Sequence, residues 1–249
     1  MAQYSHDKIV PFKDSELGKK QQIAAMFDRI AFRYDFLNRF LSGGIDIYWR
    51  RRAIRQLMDL HPRQILDVAT GTADMAIMMT RHLSPEKVTG IDISKGMLDI
   101  GRQKIARHRL EDHITLQEGD SENIGLPDNS FDAITVAFGV RNFENLEKGL
   151  KEMLRVLRPG GRLVILEFSQ PGIIGIRQLY NFYCNRIAPR VGKAVSHSGE
   201  AYQYLNDSIR AFPEGKDLVR ILDKCEYVNT RLKRLSLGIC SIYIGEKAR

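Results

Sequence analysis

The sequence predicts an α/β fold: a mostly parallel, seven-stranded sheet closed by an antiparallel hairpin. Three observations carry this. Strand-like apolar runs alternate with amphipathic helical stretches from Gln64 to Phe168. The first run, Gln64 to Val68, stops at a small-residue turn, Ala69-Thr70-Gly71-Thr72-Ala73, that opens a helix. Near the C-terminus two β-rich segments, Val228 to Leu237 and Ile239 to Gly245, are separated only by Gly238, as in a hairpin. A chain of 249 residues suffices for one domain with a full core. Its expected parts are an N-terminal helical wall (1–60), a sheet core (61–169), a helical lid insertion (170–227) and the closing hairpin (228–249).

Taken in order, Gln21 to Leu60 reads as two amphipathic helices about Leu41-Ser42-Gly43-Gly44. Strands are expected at Gln64 to Val68, Lys87 to Ile91, Ile114 to Gln117, Asp132 to Phe138 and Arg162 to Phe168. Helices are expected at Met75 to His82, Lys95 to His108 and Asn145 to Leu157, where apolar residues recur at helical spacing. Arg158-Pro159-Gly160-Gly161 should end the last of these before the next strand. Beyond Phe168 come a long helical stretch, Ile174 to Arg190, a polar segment, Ser196 to Gly199, and helices near Tyr202 to Phe212 and Gly215 to Cys225. The aromatics of this insertion, Tyr180, Phe182, Tyr183, Tyr202, Tyr204 and Phe212, suit either a lid over a flat ring or a helix core.

The turn after the first strand is the most informative segment. Its small residues let backbone approach a ligand at a helix start. Asp92, roughly 20 residues beyond Gly71 at the tip of the neighbouring strand, can take two ribose hydroxyls. An adenosyl cofactor follows. The dinucleotide fingerprint needs three glycines and this turn keeps only Gly71, so a pyrophosphate site is poorly supported. The turn, with Asp67 inside the strand, instead resembles the first motif of class I S-adenosylmethionine-dependent methyltransferases. That resemblance implies their Rossmann-like sheet, and the closing hairpin agrees with it.

Composition narrows the setting. A formal charge of +8 allows nucleic acid, anionic lipid or an acidic partner. Cys184, Cys225 and Cys240 are scattered, with no CxxC or Cys/His spacing, so no metal site or disulfide frame is expected and a reducing cytoplasm suits them. Met1 to Gln22 lacks the apolar stretch of a signal peptide, and no run of about 18 apolar residues exists to span a bilayer.

Two longer stretches resemble the ubiquinone/menaquinone biosynthesis C-methyltransferase family. Tyr34-Asp35-Phe36-Leu37-Asn38-Arg39-Phe40-Leu41-Ser42, followed by Trp49, is similar to its first signature; Arg155 to Ser169, through Pro159-Gly160-Gly161 and Leu166-Glu167-Phe168, is similar to its second. Phe138-Gly139-Val140-Arg141-Asn142 matches the family's segment after the fourth strand, and Tyr202-Gln203-Tyr204-Leu205 with Ser208-Ile209-Arg210 its lid region. Leu37, Asp46, Arg158 and Ala73 depart from the usual Met, His, Lys and Gly.

The resemblance implies carbon methylation of a polyprenyl quinol, demethylmenaquinol foremost, with S-adenosyl-L-methionine as donor; a polyprenyl benzoquinol is the alternative acceptor. It places cofactor contacts at Thr72, Asp92, Asp120, Ser121 and Ala137, beside Asp67 and Gly71 of the turn; Ala137 can offer only backbone. Arg141, which stays charged, is expected to stabilise a developing phenolate with Asn142 orienting it, or else to pair with Glu167. Tyr202, Tyr34 and His197 are further candidates for proton handling. An acceptor with a polyprenyl tail implies an enzyme that meets the inner face of the membrane from the cytoplasm, and Arg50-Arg51-Arg52 beside Trp49, with Arg55, could dock anionic headgroups or form a solvated helix face. A homo-oligomer is allowed. A basic class I RNA methyltransferase is the other class of reading; the chain lacks an Asn/Asp-Pro-Pro-Tyr/Phe motif after strand four and a suitably placed cysteine, so no nucleic-acid partner is expected.

Overall fold

A computed structural model describes residues 4–172 and 199–249, with Gly175 and Gln178. Seven strands form one sheet in the order β3-β2-β1-β4-β5-β7-β6. They are β1 Gln64–Val68, β2 Lys87–Asp92, β3 Ile114–Glu118, β4 Phe131–Ala137, β5 Leu157–Phe168, β6 Val228–Leu235 and β7 Cys240–Glu246. The first five run parallel, and β7 inserts antiparallel between β5 and β6. This is the expected α/β architecture, hairpin included.

The central strands are buried because both faces are covered. Leu66, Val68, Ile134, Val136 and Leu163 pack on one side with Leu150, Met153, Leu218 and Leu222. Ile65, Val88, Ala133, Val164 and Ile242 pack on the other with Trp49, Leu57, Ala76 and Met79. Strand β6 lies at the edge, where exposed Arg231, Lys233 and Arg234 discourage pairing with another chain.

The helices are α1 Lys19–Leu41, α2 Ile45–Ile54, α3 Asp74–Leu83, α4 Lys95–Arg107, α5 Leu146–Val156, α6 Gly199–Ala211 and α7 Lys216–Lys224. Ser94 caps α4 by accepting from Met97 N at 3.2 Å, and Asn145 caps α5 by accepting from Lys148 N at 3.0 Å. Gly43 and Gly44, both at positive φ (58° and 79°), turn the chain between α1 and α2.

Two boundaries differ from expectation. Strand β5 starts at Leu157, so Arg158-Pro159-Gly160-Gly161 lies within it as an irregularity, with the β4 register shifting between Phe131 and Ala133. Gly161 is required there: a Cβ would stand 2.8 Å from Arg158 O and 2.9 Å from Asp132 O. The final hairpin turns through a short 3-10 segment, Ser236–Gly238, and Ile239 rather than through Gly238 alone. The expected helix Ile174 to Arg190 and the segment Ser196 to Gly199 lie largely outside the described residues, as do Tyr180, Phe182, Tyr183, Cys184 and His197. Among the described residues no helix is long and apolar enough to cross a membrane.

Candidate active site

The strand order reverses between β1 and β4, and in an open parallel sheet the crevice beyond the carboxyl ends at that point is where ligands sit. The main cleft is there. Ala69 and Gly71 follow β1, Asp92 and Ile93 end β2, Gly119 to Glu122 follow β3, and Ala137 to Gly139 end β4 with Asn142 and Phe143 beyond. Five of the expected cofactor residues, Gly71, Asp92, Asp120, Ser121 and Ala137, therefore meet in one cleft.

The β1 turn is held open by conformation. Ala69, Gly71 and Ala73 all adopt left-handed backbone, with φ of 53°, 55° and 64°. A Cβ at Gly71 would meet nothing within 4 Å, so its glycine serves the backbone angle and an open approach. Ala73 holds its left-handed angle at a cost of about 1 kcal/mol. Its methyl is fully buried in the core under the sheet, so the alanine does not narrow the cleft. At the end of β4, Phe138 is also left-handed (φ 59°), and Gly139 passes so close to the β1 turn that a Cβ would lie 2.5 Å from that of Ala69.

Asp67 braces this turn from inside the sheet. Its two carboxylate oxygens accept from Thr70 Oγ1 at 2.7 Å and Thr135 Oγ1 at 2.5 Å. Burial pushes its carboxyl up from the ordinary 3.8 to about 6, with both hydroxyls opposing the shift. Asp92 accepts from Gly71 N at 2.8 Å and Ser94 N at 2.9 Å. Burial raises its carboxyl too, and no lysine or arginine pairs with it among the described residues. A carboxylate held only by N–H groups at the cleft edge retains lone pairs for a diol, and that fits the ribose of S-adenosylmethionine.

Two expected contacts are otherwise engaged. The Thr72 hydroxyl turns from the main cleft toward a half-buried polar cluster, donating to Asp35 Oδ1 at 2.5 Å and accepting from Lys104 Nζ at 3.1 Å; Thr72 lines a smaller adjoining cavity with Asp67. Asp120 accepts from Lys20 Nζ at 2.7 Å and from Glu122 N at 2.8 Å.

Arg141 takes the ion-pair alternative. Its Nη1 lies 2.8 Å from Glu167 Oε1 and also donates to Phe138 O; both charged side chains are buried. The guanidinium sits 5.6 Å from the centre of the Phe168 ring, behind the cleft rather than among its lining residues. Its charge still reaches the phenols beside the cleft, where it opposes the upward pKa shift that burial imposes on Tyr34 and Tyr204. Asn142 does line the cleft, and its Oδ1 accepts from Tyr204 Oη at 3.0 Å. Tyr202 belongs to α6, but its side chain lies outside the described residues; Tyr204 of the same helix meets Asn142.

Of Arg50-Arg51-Arg52 beside Trp49, expected either to dock anionic headgroups or to form a solvated helix face, Trp49 and Arg50 do neither. Trp49 is buried, donating from Nε1 to Ser236 Oγ at 2.8 Å and packing on Phe138 and Phe168. Arg50 is drawn inward by Asp46 at 3.7 Å and the face of Phe138 at 5.3 Å, leaving Arg51 and Arg55 exposed.

The roof of the cleft comes from α1, through Lys20, Ile23, Phe27 and Tyr34. The sequence predicts a wall here and offers Tyr34 as a candidate, but not Lys20, Ile23 or Phe27; their spacing, which returns to one helix face, was the available signal. Asp28 fastens the roof to the start of α4, accepting from Ser94 Oγ at 2.6 Å and Gly96 N at 2.8 Å. Among the described residues no cluster of His, Cys, Asp and Glu has the makings of a metal site.

Comparison with known proteins agrees with this geometry. A profile of the ubiE/COQ5 methyltransferase family matches residues 15–247. The chain is 44% identical to a demethylmenaquinone methyltransferase of Bacteroides fragilis over 245 residues, covering 98% of this chain and 99% of that protein. It is 46% identical to the ubiquinone/menaquinone biosynthesis C-methyltransferase UbiE of Geotalea daltonii, covering 95% of this chain and all of that protein. Among solved structures, a Thermotoga maritima S-adenosylmethionine-dependent methyltransferase, described as a possible histamine N-methyltransferase, shares the fold with a TM-score of 0.63 at 17% identity, over 90% of this chain and 99% of that one. With its full-length match and the cleft at the switch of its sheet, the chain belongs to the ubiE/COQ5 methyltransferase family, and its cofactor is S-adenosyl-L-methionine.

Proposed function

We propose that the protein methylates a ring carbon of demethylmenaquinol, the acceptor class named for its Bacteroides fragilis relative. The observation that supports the reading is the cleft itself: Asp92, Gly71 and Ser121, polar groups suited to an adenosyl moiety, line it together with Phe138, Asn142 and Phe143, which suit a flat aromatic ring.

The cofactor supplies a methyl already activated on a sulfonium. The protein's task is then to align the acceptor carbon and make it nucleophilic. Asn142 spends its carbonyl oxygen on Tyr204, which turns its amide N–H groups toward a quinol oxygen. A hydrogen bond to that oxygen, strengthening as the phenolate develops, pushes electron density onto the ring carbon. Arg141 contributes its charge from behind, and Glu167 fixes its position. Tyr34, its phenol raised by burial, keeps its proton and acts as a donor rather than a base.

The test is an acceptor comparison with reduced demethylmenaquinol, a demethylated benzoquinol and bulk RNA, each supplied with labelled S-adenosylmethionine. Label is expected in the naphthoquinol with little in the benzoquinol and none in RNA. Preferential labelling of either alternative would replace this reading.

A further inference from the structure

We propose that the outward faces of α1 and α2 form a docking surface for an anionic lipid bilayer. Phe32, Phe36 and Phe40 recur every fourth residue on α1 and so form one stripe; they are 89%, 57% and 54% exposed. The rings of Phe36 and Phe40 stack at 5.8 Å, and none of the three joins a core cluster. Across the Gly43-Gly44 turn, Ile45 and Tyr48 of α2 continue the series at 46% and 50% exposure. A single exposed apolar side chain is ordinary. Here five of the nine large exposed ones among the described residues fall between Phe32 and Tyr48.

The charge around the stripe points to the occupant. Arg29, Arg33 and Arg51 are exposed on the same two helices, and exposed Arg55 opens the 3-10 segment that follows α2 directly. Every acid of α1 and α2 is engaged within the protein. Asp28 holds the start of α4, Asp35 binds Lys104 and Thr72, and buried Asp46 accepts from Ser42 Oγ at 2.9 Å and pairs with Arg39. The outward face is thus aromatic and basic with its acids consumed, the composition that settles at the boundary of anionic headgroups and acyl chains. A second copy of the chain would set arginines against arginines. The inner face of α1 supplies Ile23, Phe27 and Tyr34 to the cleft, so docking would bring the cleft to within about one helix diameter, ~10 Å, of the lipid. The inference stands on this surface and does not depend on which acceptor is methylated.

The test uses the full chain with phosphatidylcholine vesicles, with and without phosphatidylglycerol, in a cosedimentation assay. Binding should require the anionic lipid and fade with salt. The triple variant F32S/F36S/F40S should bind roughly tenfold or more weakly, and R51Q/R55Q about fivefold more weakly per charge. Neither variant should change thermal stability or transfer to a detergent-free, short-tailed acceptor, whereas transfer to an acceptor embedded in vesicles should fall. Absent or salt-independent vesicle binding, or equal binding by the triple variant, overturns the proposal. So does a dimer or an RNA complex that the triple variant abolishes in the absence of any lipid binding. Vesicle binding that persists when no quinol is methylated would sink the functional reading and leave this one standing.

Discussion

Replacing Glu167 by Gln tests whether the buried Arg141 pair positions the loop that carries Asn142 or merely fills space. Glu167 is fully buried, and its Oε1 accepts from Arg141 Nη1 at 2.8 Å and Phe168 N at 2.9 Å, while Oε2 receives Arg141 N at 3.4 Å. Gln keeps the shape but removes the counter-charge and turns one N–H2 toward a donor. The guanidinium, 4% exposed, is left unneutralised, and breaking such a pair costs about 3–5 kcal/mol. At about 2–4 °C per kcal/mol for a chain of this size, the melting temperature should fall by roughly 6–20 °C. Because the loop carries Asn142 into the cleft, kcat should fall by about a hundredfold, the usual effect of misplacing a reacting group by about 1 Å. Cofactor affinity, expected to rest on Gly71 and Asp92, should stay within about twofold, well inside the scatter between distant sites. The double variant R141M/E167L removes both charges and should recover much of the stability. It should not recover turnover. Calorimetry, titration with S-adenosylmethionine and methyl-transfer kinetics on the same preparations give the three readouts. Wild-type turnover in E167Q, or full turnover in the double variant, would refute a positioning role.

Three further outcomes follow from the same site. Asp92→Asn should weaken cofactor binding by about 10–100-fold, the value of a charged hydrogen bond, with little change in stability; unchanged affinity by calorimetric titration would remove Asp92 from the site. Gly139→Ala should cost about 1–3 kcal/mol and lower cofactor affinity, because its Cβ would meet that of Ala69 at 2.5 Å, whereas Gly125→Ala, with nothing within 4 Å, should be neutral in both chemical denaturation and binding. Asp67 gives a pH prediction. Its folded pKa of about 6 lies above the ordinary 3.8, so the folded state holds this proton more tightly, and the stability this confers is full below about pH 4 and lost as pH rises through 6. Asp67→Asn should therefore lack a decline of about 3 kcal/mol that the wild type shows over that window in urea titrations; parallel profiles would contradict the assignment.

Much of the fold was legible because the signals are local. Strands β1, β2 and β3 were placed to within a residue by runs such as Ile65-Leu66, and the hairpin by the break at Gly238 between two β-rich segments. Strand β5 was read too short because Pro159-Gly160-Gly161 ordinarily ends an element. Here Gly161 lets the chain pass within contact of Arg158 O and Asp132 O and continue. In the site, Gly71, Asp92, Ser121 and Ala137 were legible as residues at or just past the ends of successive parallel strands, a placement that topology dictates. The partners of Asp120 and Thr72 were harder to read, since Lys20 and Asp35 approach from distant parts of the chain, whereas the pairing of Arg141 with Glu167 was one of the two readings the sequence offered. The inward turn of Trp49 and Arg50, outside both readings of that run, was hidden for a related reason: the side of a helix that faces inward depends on what the sheet offers it, here Phe138 and Phe168.

Transfer of a methyl group to a quinol ring carbon in this cleft can be read from a single turnover with labelled S-adenosylmethionine and reduced demethylmenaquinol, followed by mass spectrometry of the product. One labelled methyl bound to carbon is expected, with the yield sharply reduced in Asn142→Ala while cofactor binding persists. A methyl ether, label confined to protein, or undiminished transfer by that variant would contradict it.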